Sequence, residues 1–513
     1  MVSLFNAGAP APCPTPFNMA AHVLGRADAA PDKTALSILG PDGPGDCSFA
    51  TLQAMVRGTG TGLLNAGLNP GDIVVMRLGN TVDFPVAYLG ALAAGLVPVP
   101  TSPQLTEPEV AKILAELSPG AVLHDPDVAT APYHHTIPLD RLQAMRHAAR
   151  CDWHMGDPDR LGYIVYTSGT SGKPRAVAHA HRAIWARQMM FDGWYGLTAR
   201  DRLLHAGAFN WTFTLGTGLM DPWTAGATAL IPAPGTDLSA LPGLLSDHDA
   251  TLVAAAPGVY RKILQGQDRL ALPSLRHGLT AGEKLSRPLL EAWKAATGTE
   301  LYEAYGMSEC STFISSSPAH PVNPDTLGRP QAGRKVAILP GGDSTVTDPL
   351  PHGSAGLIAV HRSDPGLMLG YLNDPENTAA RFRGDWFLTG DLGAMGEDGE
   401  ISYLGRDDDM MNAGGFRVSP LEVEAALAAH PGIEAVGVTD VEIKADTRII
   451  VAFYTGPDPL DENALSDYAS GRLARYKMPR AFVHLSELPS GANGKLSRRA
   501  LRGLFPGPGT ARD

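Results

Sequence analysis

Apolar positions along the chain alternate between short β-branched runs and longer stretches at helical spacing. Phe17 to Asp28 has the helical pattern, Pro31 to Leu36 leads into a strand, and Leu52 to Leu64 reads as a helix ended near Gly67. Asp72 to Met76 is a predicted strand, Asp83 to Ala94 a mostly apolar helix, Val97 to Pro100 a short strand and Glu107 to Leu117 another helix. Strands alternating with helices predict a mostly parallel α/β sheet. Tyr163 to Tyr166 reads as a buried strand and His179 to Gln188 as a helix. Ala227 to Ile231 and Thr251 to Ala256 are further strands, and Leu289 to Ala296 is a helix. Gly328 to Gly356 is rich in Pro and Gly with short strands, the pattern of a small β subdomain. Beyond Gly405 to Asp409 come a helix (Pro420 to Ala429), two strands (Ile433 to Val438, Ile449 to Tyr454) and a helix (Glu462 to Leu473). That is enough chain for its own core. The expected architecture is a large α/β domain over 1–407, with parallel sheets, helices and the β subdomain, and a small α+β domain over 408–513.

The 513 residues exceed one ordinary core, which agrees with two domains. Hydrophobic residues at 44% and charged residues at 18% describe a globular chain, not a disordered one. A net charge of −12 argues against nucleic acid or an anionic membrane as partner. No run is long and apolar enough to span a bilayer, and Met1 to Phe17 does not read as a signal peptide. Cys13, Cys47, Cys151 and Cys310 form neither a CxxC pair nor a disulfide framework, which suits a reducing cytoplasm. Cys310 has no evident His partner and reads as packing.

The candidate chemistry begins at Tyr166-Thr167-Ser168-Gly169-Thr170-Ser171-Gly172-Lys173-Pro174-Arg175. Two glycines allow a tight turn that brings backbone N–H groups close to an anion; the hydroxyls add donors and Lys173 a positive charge. This is chemistry for a polyphosphate. It is not a Walker A loop, because the glycines are closer together and Pro174 stands where the Mg²⁺-binding hydroxyl belongs. Gly341-Gly342-Asp343-Ser344 lies between strand-like runs and reads as a turn.

The run from Tyr166 to Arg175 resembles the signature loop of the adenylate-forming superfamily, which includes acyl-CoA synthetases, peptide-synthetase adenylation domains and luciferases. Further stretches resemble that family in the same order. Ala94 to Pro100 is similar to an early core motif, and Ala281-Gly282-Glu283 to the loop around the adenine. Glu303-Ala304-Tyr305-Gly306-Met307-Ser308-Glu309 is similar to the aromatic-Gly-x-Thr/Ser-Glu motif, with Ser where Thr is commoner. The resemblance implies that Tyr305 stacks on adenine, Ser308 meets the α-phosphate and Glu309 holds Mg²⁺. A hard cation bridging phosphates calls for such a carboxylate. Trp386 to Asp391 resembles the family's ribose-binding run, with Asp391 accepting from both hydroxyls. Arg406 matches an arginine that reaches the nucleotide, Asp408 the hinge, and Gly414 with Gly415 the loop lining the pantetheine tunnel for coenzyme A. Pro489 to Arg498 resembles the final motif, with Lys495 as the lysine of adenylation. Thr167 and Lys173 join Lys495 as implied catalytic residues. The resemblance extends Thr167 to Lys173, Gly282, Glu283 and Ala304 to Ser308 as nucleotide contacts.

Together these imply an acid–thiol ligase. ATP activates a small carboxylate to acyl-AMP, and coenzyme A then takes the acyl group, with the small domain rotating between the steps. The alternative is a stand-alone adenylation domain serving a carrier protein. Such domains pair an Asp with the substrate's amino group. Here the corresponding stretch is Phe209-Asn210-Trp211-Thr212, and Asn210 carries no charge. Phe209, Asn210, Trp211 and Tyr302, with Tyr260 nearby, are the expected acyl pocket. Their bulk favours a small acid, as in benzoate-type or short- and medium-chain ligases. His205 reads equally as a pocket residue or a buried structural one. The oligomeric state is open, a homodimer included.

Overall fold

The computed structural model describes residues 1–40, 43–167, 175–320, 322–342, 344–407, 409, 411–413, 416–444, 447–473, 475–490 and 496–506. Contacts divide the chain into two compact units. One comprises Met1–Leu4, Ala337–Ala359 and Leu388–Asp513; the other comprises Phe5–Val336 and Val360–Phe387. Residues 388–407 therefore group with the C-terminal region, whereas the sequence reading set the boundary after 407.

The larger unit is built on a nine-stranded sheet. Its order runs Arg329–Pro330, Ser311–Ser315, Glu300–Met307, His277–Ala281, Leu252–Ala254, Arg202–His205, Thr228–Pro232, Thr34–Gly40, Gly43–Ser48. The six strands from Glu300–Met307 to Thr34–Gly40 are parallel to their neighbours and the outer ones antiparallel. The parallel strands are mostly apolar, as strands covered on both faces tend to be. A second, four-stranded parallel sheet runs Val97–Pro100, Ile73–Arg77, Ala121–His124, Thr136–Pro138. Helices Phe49–Asn65 and Asp83–Ala93 pack closely: a Cβ on Gly90 would lie 2.9 Å from the Thr59 side chain.

A hairpin of Leu161–Thr167 and Arg175–Ala180 pairs Thr167 with Arg175, and Gly370–Tyr371 joins its second strand. The helix expected over His179 to Gln188 shrinks to Ala183–Ala186. The strand continues through Ala180 because its backbone groups find partners on both sides, which outweighs the local periodicity.

In the other unit, the Leu388–Met395 part of the strand Trp386–Met395 pairs antiparallel with Ile401–Arg406. Further along, Ala435–Lys444 pairs antiparallel with Thr447–Thr455, which pairs in parallel with Ala481–His484. Helices Pro420–Ala428 and Glu462–Ser470 bring Val423, Leu427 and Leu465 against Val438, Ile450 and Ala452. The expected α+β region thus has its own core.

Candidate active site

The connection 168–174 lies outside the described residues, and with it Ser168, Gly169, Thr170, Ser171, Gly172 and Lys173. Its stems do not: the backbone of Thr167 pairs with Arg175 at the open end of the hairpin. Asp408, Gly414, Gly415 and Lys495 are likewise outside. Of the residues flanking 491–495, Ser490 bridges Leu496, and Ser497 N–H donates to the Pro489 carbonyl at 2.8 Å. Arg498 then anchors the following helix through a bidentate pair to Glu424, at 2.7 and 2.8 Å.

In the larger unit, Ala304, Tyr305, Gly306 and Met307 form the end of the strand Glu300–Met307, with Ser308 and Glu309 in the turn beyond. The antiparallel pairing with Ser311–Ser315 slips between Tyr305 and Gly306. Only glycine fits there, because a Cβ on Gly306 would lie 2.1 Å from the Ser311 carbonyl oxygen. The Tyr305 ring meets Phe313 edge-on, with centroids 5.3 Å apart. Buried Glu303 fixes the neighbouring loop: its carboxylate accepts from Lys284 Nζ at 2.8 Å and from Leu285 N–H at 2.9 Å. That loop begins at Gly282 and Glu283. Gly282 has φ +98, and a Cβ there would lie 3.1 Å from the Trp211 ring.

Glu309 is held twice by one stretch of chain. Its carbonyl accepts from Met368 N–H at 2.7 Å, and its Oε1 accepts from the Tyr371 hydroxyl at 2.7 Å. The Arg175 guanidinium lies 4.9 Å over the Tyr371 ring. Burial first, then the charge of Glu309, pushes the Tyr371 hydroxyl up to about 12, so it remains a donor. The turn before this stretch is pinned by Arg334 and Asp364, a fully buried pair at 2.6 Å, with Asp364 also accepting from Gly366 N–H. Burial, with Asp364 beside it, holds the Cys310 thiol well above its ordinary value, so it is packing rather than nucleophile.

In the other unit, Asp391 is buried and stands opposite Arg406 in the strand register. Arg406 Nε lies 3.5 Å from Asp391 Oδ1, and the Tyr403 hydroxyl donates to the same oxygen at 3.3 Å. Burial first, then Asp391, raises the Tyr403 hydroxyl. Thr389 braces the turn, donating to the Ile358 carbonyl at 2.8 Å while its oxygen accepts from Asp391 N–H. Asp391 therefore presents an oriented carboxylate of the kind that accepts from a diol.

The expected acyl pocket divides. Phe209 is buried in the main core, and Trp211 packs edge-on against Phe213 and against Gly282. Asn210 is half-buried beside them, and Tyr302 is buried with its carbonyl accepting from Trp194 Nε1. Tyr260 is no pocket wall: its hydroxyl lies 2.8 Å from the carbonyls of both Val253 and Leu279, inside the sheet. His205 is fully buried with neither ring nitrogen partnered. A small, partly open cavity, about 40 Å³, lies instead beside Thr212, Leu215 and Gly216, and touches Met307, Ser308 and Ser311. Its walls also include His179 and Arg187, which sequence reasoning missed. Arg187's partners, Asp221 and Ser311, are 34 and 124 residues away, so no local motif marks it.

Among the described residues no group of three or more His, Cys, Asp and Glu side chains forms a metal site. Glu309 offers a single oriented carboxylate. That suits a Mg²⁺ whose other ligands are phosphate oxygens and water. No helix of the described residues is long and apolar enough to cross a membrane.

A sequence model described as AMP-binding enzyme matches residues 25–372, and one described as AMP-binding enzyme C-terminal domain matches residues 422–495. The human mitochondrial acyl-coenzyme A synthetase ACSM2A is 28% identical, over 85% of this chain and 80% of that protein. The 3-hydroxybenzoate–CoA ligase of Aromatoleum sp. (strain CIB) is also 28% identical, over 89% of this chain and 91% of that one. The crystal structure of ATP-bound MatB from Rhodopseudomonas palustris superposes with a TM-score of 0.87 at 26% identity, covering 95% and 98% of the two chains.

Proposed function

Because this chain belongs to the AMP-binding enzyme family, we propose that its site works as an ATP-dependent, AMP-forming carboxylate–CoA ligase for a small aromatic or short- to medium-chain acid. The observation that carries the residue assignments is the pair of oriented carboxylates, Glu309 under Tyr371 and Asp391 under Tyr403 and Arg406. In the first half-reaction a carboxylate oxygen attacks the α-phosphorus of ATP. A new P–O bond forms and the bond to pyrophosphate breaks. In the second, the sulfur of coenzyme A attacks the acyl carbon, AMP leaves, and the thiol proton passes to solvent.

Neither step needs a protein nucleophile; each needs reactants held in place and charge neutralised. The 168–174 connection, with Thr167 and Lys173, cradles the phosphates, and Lys495 serves adenylation. Asp391 binds the ribose hydroxyls, and Tyr305 and Gly282 flank the base. Glu309 would hold Mg²⁺, whose charge offsets that of the phosphates. Gly414 and Gly415 line the path of coenzyme A, and Asp408 is the hinge. A cytoplasmic location belongs to the same proposal and rests on four unpaired cysteines.

The test is an incubation with ATP, Mg²⁺, coenzyme A and a panel of carboxylic acids. Acyl-CoA, AMP and pyrophosphate should appear together for a subset of small acids. Pyrophosphate exchange with α-amino acids alone, and no thioester with coenzyme A, would overturn the reading.

A further inference from the structure

The cavity beside Ser308 is lined by Met19, Tyr88, Ile184, Leu215 and Met220 and by polar residues that include Thr212 and Ser308; two further polar residues bear on selectivity. The first is His179. Its Nε2 lies 2.7 Å from the Ser308 carbonyl oxygen, which can only accept, so Nε2 carries the proton. Burial, the largest influence, pushes the imidazole down to about 4, so the ring is neutral and Nδ1 is a bare acceptor. That Nδ1 is buried with no partner, and His179 is 2% exposed. A buried acceptor without a donor is destabilising, so a ligand that supplies one recovers the loss.

The second feature is Ser311. Arg187 Nη1 donates to its Oγ at 2.5 Å, which leaves the hydroxyl hydrogen of Ser311 to give away. Arg187 itself is spent. Its Nε and Nη2 form a bidentate pair with Asp221 at 2.8 and 2.6 Å, and Tyr195 donates to the same carboxylate at 2.6 Å. His179 and Ser311 therefore offer the cavity one acceptor and one donor, and its cation, Arg187, is already neutralised.

Resting on the ligase reading above, we propose that this cavity receives the acyl body of the substrate and selects an acid bearing a neutral hydrogen-bonding substituent, a hydroxyl group, over both its apolar counterpart and a dicarboxylic acid. The hydroxyl donates to His179 Nδ1 and accepts from Ser311. A second carboxylate would find neither a free cation nor a donor for Nδ1. His179 and Ser311 are specificity-determining residues, and neither takes part in the bond changes.

The experiment measures kcat/KM for pyrophosphate release by the full chain with three matched sets: ring-hydroxylated benzoates, the corresponding methylbenzoates and benzene dicarboxylates. A hydroxyl isomer should exceed its methyl counterpart at least about tenfold, since a site built to bond a hydroxyl discriminates strongly against its loss. In His179→Leu the preference should fall to within about twofold, through loss on the hydroxy acid and not gain on the methyl acid. Loss of the bond to the Ser308 carbonyl acts on every acid alike and cancels in this ratio. Ser311→Val serves the same purpose should His179→Leu fail to fold, and the wild-type ratio stands without either variant. Equal or better use of the methyl acids, best use of a dicarboxylate, or a hydroxyl preference unmoved in both variants overturns the proposal. No pyrophosphate with any acid overturns the ligase reading, and this inference with it.

Discussion

A single hydroxyl sets the carboxylate assigned to Mg²⁺. Glu309 sits in a turn, where an unbraced side chain would sample several rotamers. Tyr371 removes that freedom with a 2.7 Å bond to Oε1. A bond to a charged acceptor is worth about 1.5–3 kcal/mol. Tyr371→Phe keeps the ring under Arg175 and deletes only the oxygen. Adenylation should slow by about tenfold, with a higher Mg²⁺ concentration needed for half-maximal rate and partial recovery when Mg²⁺ saturates. Titration of pyrophosphate release against Mg²⁺ measures this, and an unchanged midpoint removes Tyr371 from the role. Sequence made Glu309 and Asp391 legible because each lies in a contiguous motif. It gave Tyr371 no role, because its partner is 62 residues away. Chemistry made by neighbours in space has no local spacing to read, and the Arg187–Asp221–Ser311 cluster escaped for the same reason.

Strands and helices follow the pattern of apolar positions where one partner surface decides them. Glu107–Leu117 and Val97–Pro100 match their predicted bounds. The miss over His179 to Gln188 arises where two neighbours claim a strand, a tertiary demand that local periodicity does not carry. Three strands share another trait. Arg175–Ala180, Arg202–His205 and His277–Ala281 each contain a buried histidine, at 179, 205 and 277. Burial, the largest influence on each, lowers them from 6.5 to about 4, about 3 and about 4. The folded chain keeps them neutral, while the unfolded chain takes up protons near pH 6.5. Stability is therefore complete above pH 6.5 and is lost as pH falls toward 4, by about 1 kcal/mol per pH unit for each histidine. Thermal midpoints from pH 7.5 down to 5 should decline. His205→Leu, which removes the histidine with neither nitrogen partnered, should show a shallower decline. A midpoint that rises on acidification, or a slope identical in the variant, contradicts this account.

At the scale of the molecule, the family match falls in two parts, residues 25–372 and 422–495. Lys495 closes the second part, over a hundred residues beyond Glu309. The two half-reactions ask for different charges. In adenylation a carboxylate must meet an anionic phosphate, and an ammonium offsets both. In thioester formation the acid is already esterified, and the attacking group is the thiol of coenzyme A. A lysine serving only the first step should therefore be dispensable for the second. Lys495→Ala should slow acyl-AMP formation from acid and ATP by about 10²–10³, the loss typical of one electrostatic group. Supplied with synthetic acyl-AMP and coenzyme A, the same variant should form thioester at near the wild-type rate. Gly415→Ile should show the reverse, because a branched side chain would obstruct the path assigned to pantetheine. Rapid-quench assays of each half-reaction decide the matter. Equal losses in both steps for Lys495→Ala would mean that one arrangement of the chain serves both reactions, and the separation of roles between Lys495 and Gly415 would fall.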